Sequence, residues 1–156
     1  MPLEPKLHIA LIPDGNRRWA KQQGLLPGKG HERSAGNFRA IVEWCAKNEQ
    51  VSTLTFWAFS TENWKRDKME ISQLMKLFEK YIRKERADLK KNGIALVRSG
   101  RTDRMPVSLK ALLEDVAAEN PPDPRLIVHM SLDYGVKDEV TRAVSKLDSS
   151  KPVTDE

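Results

Sequence analysis

The sequence predicts an α/β fold, with a mostly parallel central sheet flanked by helices. Four short runs of apolar or β-branched residues alternate along the chain with segments whose apolar residues recur at helical spacing. The runs are almost continuously apolar, which is typical of strands that are covered on both faces. This alternation favours parallel strands joined by helical crossovers.

Length and composition fit one globular domain. The chain has 156 residues, of which 39% are hydrophobic and 31% are charged, so it is too apolar to be disordered. We expect one domain over residues 1–147 and a polar tail over residues 148–156. No apolar run approaches the roughly 20 residues that cross a bilayer, and residues 1–6 lack the apolar segment of a secretory signal.

The first half of the chain predicts two strands with one helix between them. The first strand covers residues 7–12, and the second covers residues 53–59, which are rich in aromatic and β-branched side chains. The apolar residues of the intervening helix recur every three or four positions: Phe38, Ile41, Val42 and Cys45.

The second half predicts three further helices and two further strands. An apolar stripe over residues 71–89 predicts a helix of about six turns. A strand over residues 94–97 follows, and the next helix begins after Pro106. The last strand covers residues 126–132, and the last helix covers residues 137–147.

One cysteine, Cys45, and three histidines limit the chemistry that the chain supports. A single thiol cannot form an internal disulfide, which favours a reducing cytoplasm as the location. So few thiolate and imidazole ligands also argue against a structural zinc site.

Positive charge is concentrated in the first half of the chain. The formal net charge is +5, and residues 1–78 hold 12 Lys and Arg against 8 Asp and Glu, whereas residues 79–156 hold 15 against 14. This excess indicates an anionic partner, which could be a nucleic acid, a phosphate ester or an acidic membrane surface. A solvated basic surface explains the composition equally well.

The loop after the first strand carries groups that suit a diphosphate and a divalent metal. Asp14 could coordinate Mg²⁺, and Arg17 and Arg18 could bind phosphate oxygens. Gly15 permits a positive φ and a close approach of the backbone to a ligand. A plain Asp-Gly turn with incidental arginines is the alternative interpretation.

Two further segments add polar groups to the same edge of the sheet. Residues 28–31 are predicted to form a glycine-flanked loop, whose His31 could donate to phosphate or move a proton. Residues 60–66, after the second strand, combine hydroxyl, carboxylate, amide, aromatic and cationic groups. A helix cap explains the hydroxyls but does not require Asn63 or Arg66.

The last two strands are followed by similar but weaker signals. Arg98 and Arg101 flank a glycine after the third strand, and residues 133–135 read Asp-Tyr-Gly after the fourth. Four such loops at one edge of one sheet predict a site for an anionic ligand.

These loops resemble the signature motifs of the cis-prenyltransferases, the family of undecaprenyl and dehydrodolichyl diphosphate synthases. Residues 8–20, HIALIPDGNRRWA, are similar to the first family motif, and Gly30 and His31 match its Gly-His pair. Residues 54–78 are similar to the second motif, which is very specific. The similarity extends over residues 7–147, nearly the whole chain.

The resemblance implies a transferase of isoprenoid biosynthesis. Such enzymes condense an allylic diphosphate, for example farnesyl diphosphate, with isopentenyl diphosphate to give a cis-polyprenyl diphosphate. They require Mg²⁺ and act as homodimers or with a related subunit. The resemblance thus implies a cytoplasmic enzyme that contacts the membrane surface through its lipid product and binds no nucleic acid.

The resemblance also assigns roles to individual residues. Asp14 would be the catalytic aspartate that binds Mg²⁺, and His31 and Asn63 would complete the catalytic group. The remaining matched positions would bind the substrates: Gly15, Asn16, Arg17, Arg18, Trp19, Ser60, Glu62, Trp64, Arg66 and Glu70. Glu70 would line a tunnel for the growing chain, with Trp57, Leu74, Leu77 and Phe78 as its apolar candidates.

The chain departs from the family pattern in four respects. Pro27 stands where many members have an arginine, although Lys29 is close, and Arg101 follows Gly100 where an aspartate is common. Residues 133–137, DYGVK, replace Asn-Tyr-Gly-Gly-Arg. The chain also ends before the arginine- and serine-containing segment that binds isopentenyl diphosphate in the family.

The last departure predicts a fold that is incomplete at its C-terminus and leaves three interpretations open. The chain is an N-terminal part of a cis-prenyltransferase, or a short homologue or partner subunit that binds allylic diphosphate. The third interpretation is a non-enzymatic protein that binds a phosphorylated ligand or a nucleic acid.

Overall fold

Four parallel strands form one sheet, as the sequence predicts. The computed structural model describes residues 6–147, so the tail predicted over residues 148–156 lies outside the described residues. The strands span Leu7–Leu11 (β1), Val51–Ser60 (β2), Ile94–Ser99 (β3) and Leu126–Tyr134 (β4). Their order is β1-β2-β4-β3, and each neighbouring pair is parallel.

Helices connect these strands. They span Asn16–Gln22 (α1), Pro27–Lys47 (α2), Lys68–Lys91 (α3), Val107–Ala118 (α4) and Val136–Val144 (α5), with a 3-10 helix over Thr61–Lys65. The prediction of a loop over residues 28–31 is wrong, because these residues form the first turn of α2. Pro27 occupies the start of that helix, where its fixed φ favours helix initiation.

The core lies between the sheet and helices α2, α3 and α4. α2 and α3 pack against the strands, and α4 packs against α3 and β3. The predicted stripe of α3 is buried at Ile71, Leu74, Met75 and Ile82, which leaves its charged face in solvent. Within residues 6–147, no helix is both long enough and apolar enough to span a membrane.

Gly30 determines how closely α1 approaches α2. A Cβ atom at Gly30 would lie 2.0 Å from the carbonyl oxygen of Asn16 and 3.3 Å from the Cβ of Ala20. Ala20 is fully buried at this contact. Only a residue without a side chain allows the two helices to meet here, and this contact fixes α1 beside the loop that follows β1.

We expect Gly30→Ala to destabilise the fold by about 2 kcal/mol, because the added methyl group forces α1 away from α2. Gly36 is the matched control in α2, since a Cβ there meets nothing within 4 Å beyond the helix backbone. Gly36→Ala should stabilise the fold by about 0.8 kcal/mol through the higher helix propensity of alanine. Urea unfolding measures both effects, and equal free energies of unfolding would contradict the packing role of Gly30.

Candidate functional site

The strand order brings two of the predicted loops together at the carboxyl edge of the sheet. β1 and β2 are neighbours, so the turn that leads from β1 into α1 lies beside the 3-10 helix that follows β2. β3 is the opposite outer strand, three strand spacings or about 14 Å from β1. The loop after β3 therefore lies on the far side of the sheet from the first motif.

A cavity at this edge, which we name the mouth, carries four cationic side chains in its lining. Its walls come from the turn after β1, from α1 and from the start of α2. The basic side chains that line it are Arg17, Arg18, Lys21 and Arg66, against a single lining carboxylate, Asp14. Clustered positive charge in a concave site attracts an anion such as diphosphate.

Asp14 is held at the rim of the mouth by its neighbours. Its side chain accepts a hydrogen bond from the Gly15 N–H at 2.5 Å and another from Arg18 Nη2 at 2.8 Å. Gly15 has a φ of 85°, in the left-handed region that glycine tolerates, and it turns the chain into α1. The Asp14 side chain is 84% exposed, so its carboxylate is accessible to a cation.

Glu70 connects three positively charged or imidazole side chains at the mouth. Its Oε1 atom lies 3.2 Å from Arg66 Nη1, 3.7 Å from His31 Nε2 and 3.9 Å from Arg17 Nε. Glu70 is expected from the sequence to line an apolar tunnel, whereas the structure places it in this ionic cluster. Its carboxylate holds Arg17 and Arg66 beside the mouth that both side chains line.

His31 lines both the mouth and the space behind it, and burial controls its charge. Burial lowers the pKa of the imidazole, Arg66 lowers it further, and Glu70 opposes both effects. Among the described residues, His31 Nε2 is one of three buried side-chain nitrogens without a hydrogen-bond partner. The lowered pKa favours a neutral imidazole at pH 7, and Nε2 is buried beside the Glu70 carboxylate at 3.7 Å.

The lowered pKa of His31 predicts a loss of stability in acid. The folded state binds a proton at His31 less readily than the unfolded state, whose imidazole pKa is about 6.5. The His31 contribution is present above about pH 6.5 and is lost as the pH falls through the lowered pKa. We expect His31→Gln to lose less free energy of unfolding than the parent protein between about pH 7 and pH 5. His129→Gln is the control, and an unchanged pH dependence in His31→Gln would contradict this assignment.

An apolar cleft runs inward from the mouth between α2, α3 and the sheet. Its volume is about 200 Å³. Strand residues form its floor, among them Phe56, Ala58, Val128 and Met130. Asn16, His31 and Arg66 line both cavities, so the cationic mouth and the apolar cleft adjoin at these residues.

Three of the four candidates for an apolar tunnel line this cleft: Leu74, Leu77 and Phe78. The prediction for Trp57 is wrong. Side chains alternate along a strand, so Phe56 and Ala58 face the cleft while Trp57 projects from the other face of the sheet. There the Trp57 ring packs edge-on against Tyr134, at 5.9 Å between centroids.

Most of the predicted residues after β2 stabilise their own turn. Ser60 and Asn63 form a capping box, in which Asn63 Oδ1 accepts a hydrogen bond from the Ser60 N–H at 3.1 Å. Trp64 packs edge-on against Phe59, at 5.2 Å between ring centroids. Glu62 is exposed, and hydrogen bonds from its own backbone N–H and neighbouring hydroxyls lower its pKa.

Only some of the predicted site residues therefore line the two cavities. Arg66 is the residue of the second motif that lines both, whereas six predicted residues line neither: Trp19, Ser60, Glu62, Asn63, Trp64 and Glu70. Trp19 lies on α1 and is 38% exposed.

The cations after β3 bind partners near their own strand, which corrects the prediction of a four-loop anion site. Arg101 donates to Asp103 and to Asp138 of α5, and its hydrogen bond lowers the pKa of Asp103 to about 2. Arg98 donates to the Gly100 carbonyl oxygen at 2.8 Å. The candidate anion site is limited to the segments that follow β1 and β2.

Lys21 also lines the mouth, although the sequence motifs do not include it. It lies three and four residues after Arg18 and Arg17 on α1, a spacing that places the three side chains on one helix face. Lys29, the cation suggested near the missing arginine, instead donates to Glu32 at 2.9 Å and lies outside the mouth.

The sequence motifs likewise do not indicate a buried ion pair beside the second motif. Asp133, at the end of β4, is 1% exposed and has a φ of 53°. Arg104 donates to it from Nε at 2.9 Å and from Nη2. The Arg104 guanidinium lies 5.3 Å from the centroid of the Trp64 ring, so the pair ties β4 to the segment after β2.

Asp14 is the candidate Mg²⁺ ligand of the site. No group of three or more His, Cys, Asp or Glu side chains that could hold a metal occurs within residues 6–147. An accessible carboxylate beside a candidate phosphate site nevertheless fits Mg²⁺, which binds one or two carboxylates together with waters and substrate phosphates.

Sequence comparison identifies related proteins over nearly the whole chain. The family model described as "Putative undecaprenyl diphosphate synthase" matches residues 12–156. An isoprenyl transferase of Aquifex aeolicus is 39% identical over 152 residues, which are 97% of this chain and 65% of the relative. One of Fusobacterium nucleatum is 39% identical over 151 residues, with 96% and 65% covered. The chain thus spans 65% of the length of these relatives.

Solved structures share the fold. Lavandulyl diphosphate synthase from Lavandula x intermedia, in complex with dimethylallyl diphosphate, has a TM-score of 0.81 and 26% identity, covering 89% of this chain and 59% of that protein. A protein of Campylobacter jejuni described as "a probable undecaprenyl diphosphate synthase" has a TM-score of 0.75 and 26% identity, with 99% and 67% covered. The sequence match, the parallel sheet and its carboxyl-edge site together place this chain in the undecaprenyl diphosphate synthase family of isoprenyl transferases.

Proposed function

We propose that the chain binds an allylic prenyl diphosphate and supplies the allylic half of a cis-prenyl transfer to isopentenyl diphosphate. One observation carries the proposal: the cationic mouth adjoins the apolar cleft at Asn16, His31 and Arg66. A ligand with a charged head and an apolar tail matches this arrangement, whereas nucleic acid requires a more extended basic surface.

The mouth suits the diphosphate head. Ionisation of an allylic diphosphate leaves an anion that must be stabilised as the carbon–oxygen bond breaks. Arg17, Arg18, Lys21 and Arg66 supply fixed positive charge around that position. Mg²⁺ bound through Asp14 and the phosphates would neutralise further negative charge on the leaving group.

His31 is the candidate group for proton movement. Isopentenyl diphosphate must lose a proton after the new carbon–carbon bond forms, and a neutral imidazole or the released diphosphate can accept it. Burial and the nearby Arg66 lower the pKa of His31, which favours the neutral form. Asn63 lines neither cavity, and its side-chain oxygen is engaged with the Ser60 N–H, so we propose no substrate contact for it.

The cleft suits the apolar tail. α3 contributes Leu74, Leu77 and Phe78 to its wall, and β2 and β4 contribute the floor. Farnesyl diphosphate is the proposed allylic substrate, and the dimethylallyl diphosphate in the lavender relative has the same head group. The proposed assembly is a homodimer or a complex with a related subunit, at the membrane surface where a lipid product leaves.

Incorporation of radiolabelled isopentenyl diphosphate tests the proposal. The purified protein is incubated with farnesyl diphosphate and Mg²⁺, alone and with a cell extract that supplies a partner subunit. We expect butanol-extractable label that requires both the protein and Mg²⁺. Label that is equal without the protein, or absent under both conditions, would contradict the proposed transfer.

A further inference from the structure

We infer that Arg39 forms a strap across the apolar cleft that limits the length of the prenyl tail the cleft accepts. The inference rests on the proposed function, because it concerns the tail of the same ligand. The cleft volume of about 200 Å³ is below the roughly 300–1,000 Å³ of pockets that enclose drug-sized ligands. A long prenyl tail therefore requires the cleft to widen, and the contacts between α2 and α3 resist that widening.

Arg39 makes three carboxylate contacts, and two of them cross from α2 to α3. Its Nη1 donates to Glu85 at 3.1 Å, and its Nη2 donates to Asp88 at 3.3 Å. Its Nε donates to Glu43, one turn along α2 itself, at 2.9 Å. All four side chains line the cleft, so the strap is part of its wall.

The strap lies at a depth that separates short tails from long ones. Arg39 is eight residues beyond His31 on α2, which is about 12 Å along the helix axis. Apolar lining continues deeper than the strap, at Val42, Leu89 and Ile94. A short tail ends above Arg39, whereas a longer tail reaches this deeper space only past the strap.

Partial burial strengthens the Arg39–Glu85 contact of the strap relative to an ordinary surface pair, whereas the Asp88 side chain is 56% exposed. The Arg39 side chain is 39% exposed and that of Glu85 is 20% exposed, so solvent screens their interaction incompletely.

Within residues 6–147, one further hydrogen bond joins α2 and α3: the Tyr81 hydroxyl donates to the Glu32 carbonyl oxygen at 3.4 Å. The 3.7 Å contact between His31 and Glu70 lies at the mouth. The Tyr81 bond is long and nearer the mouth, which leaves Arg39 as the main constraint at depth.

Calorimetric titration with n-alkyl diphosphates from octyl to eicosyl, in the presence of Mg²⁺, tests the strap. In the parent protein we expect affinity to rise about fourfold for each buried methylene and then to stop rising at a limiting tail length. Arg39→Met, and the double variant Glu85→Gln/Asp88→Asn, should move that limit to longer tails. Short-tail affinity should stay unchanged.

Glu43→Gln is the matched control, because it removes only the contact within α2 and leaves both contacts to α3. Its limiting tail length should equal that of the parent. Circular dichroism identifies any variant that does not fold. Because Arg39→Met and Glu85→Gln/Asp88→Asn break the same contacts from opposite sides, the test still stands if one of them does not fold. An unmoved limit in the folded variants, or an equal movement in Glu43→Gln, would overturn the inference.

The same titrations separate failure of the strap from failure of the proposed function. Arg66→Met removes a cation of the mouth and should weaken octyl diphosphate at least tenfold. If Arg66→Met weakens binding but Arg39→Met leaves the tail limit in place, only the strap is overturned. If no alkyl diphosphate binds the parent protein, the proposed function and the strap are overturned together.

Discussion

Replacement of Asp14 by alanine is expected to abolish the magnesium-dependent part of allylic diphosphate binding. Asp14 is the carboxylate that lines the mouth, and its side chain is 84% exposed at the rim. When Asp14 is replaced, the substrate phosphates can still bind Mg²⁺, but the described lining of the mouth offers no carboxylate to hold the ion there. We expect a loss on the order of a hundredfold in affinity for farnesyl diphosphate with Mg²⁺ present.

The magnesium dependence distinguishes a metal ligand from a general change in charge. Without Mg²⁺, Asp14→Ala should bind farnesyl diphosphate at least as well as the parent, because Arg18 loses its intramolecular partner. Asp123→Ala is the matched control, since this carboxylate is exposed in the loop before β4. Calorimetric titration with and without Mg²⁺ measures both effects, and an unchanged affinity in Asp14→Ala would refute the assignment.

The largest expected loss of stability follows from Arg104→Ala. This change leaves the Asp133 carboxylate, which is 1% exposed, without its charged partner. An unpaired buried charge destabilises a fold by about 3 kcal/mol. The substitution also removes the guanidinium from the face of Trp64, so the segment after β2 should loosen with it.

A double variant separates the buried charge from the lost contacts. Arg104→Ala combined with Asp133→Asn removes the charge that needs a partner and should recover more than half of the lost free energy of unfolding. Arg83→Ala is the control, because its pair with Glu79 lies on the exposed face of α3 and should contribute only about 0.5 kcal/mol. Urea unfolding that gives equal losses for Arg104→Ala and Arg83→Ala would contradict the role of the buried pair.

The sheet and its main helices were predictable because local pattern determines them. Continuous apolar runs mark β2 and β4, which have neighbouring strands on both sides, and the stripe on α3 has the helical period. The glycines at positions 28 and 30 predicted a loop by composition, but both lie in α2. Gly30 is required there because α1 approaches too closely to leave room for a side chain. Tertiary packing therefore overrides local propensity at this position.

The site was predictable only where motif residues lie on adjacent strands. The segments after β1 and β2 meet because those strands are neighbours, whereas the order β1-β2-β4-β3 places the arginines after β3 at the far edge. Sequence pattern gives the number of strands but not their order. The same limit applies to Arg104 and Asp133, which are 29 positions apart and meet only in the folded chain.

Side-chain direction explains the remaining differences. Trp57 was expected in the tunnel because it lies in the second motif, but the alternation along β2 directs it to the opposite face. Lys21 was missed although its spacing from Arg17 on α1 signals a shared face. Both cases depend on the phase of a strand or helix, which is known only once its boundaries are fixed.

One titration tests most directly whether mouth and cleft form a single site for a prenyl diphosphate. Farnesyl diphosphate and inorganic diphosphate are each titrated, with Mg²⁺, into the parent protein, into Ala35→Phe, which fills the cleft, and into Ala40→Phe, which lies on the exposed side of α2. We expect the parent and Ala40→Phe to bind farnesyl diphosphate at least tenfold more tightly than diphosphate, and Ala35→Phe to lose this advantage while it keeps its affinity for diphosphate. Equal affinity of the parent protein for the two ligands, or an undiminished advantage in folded Ala35→Phe, would contradict the account.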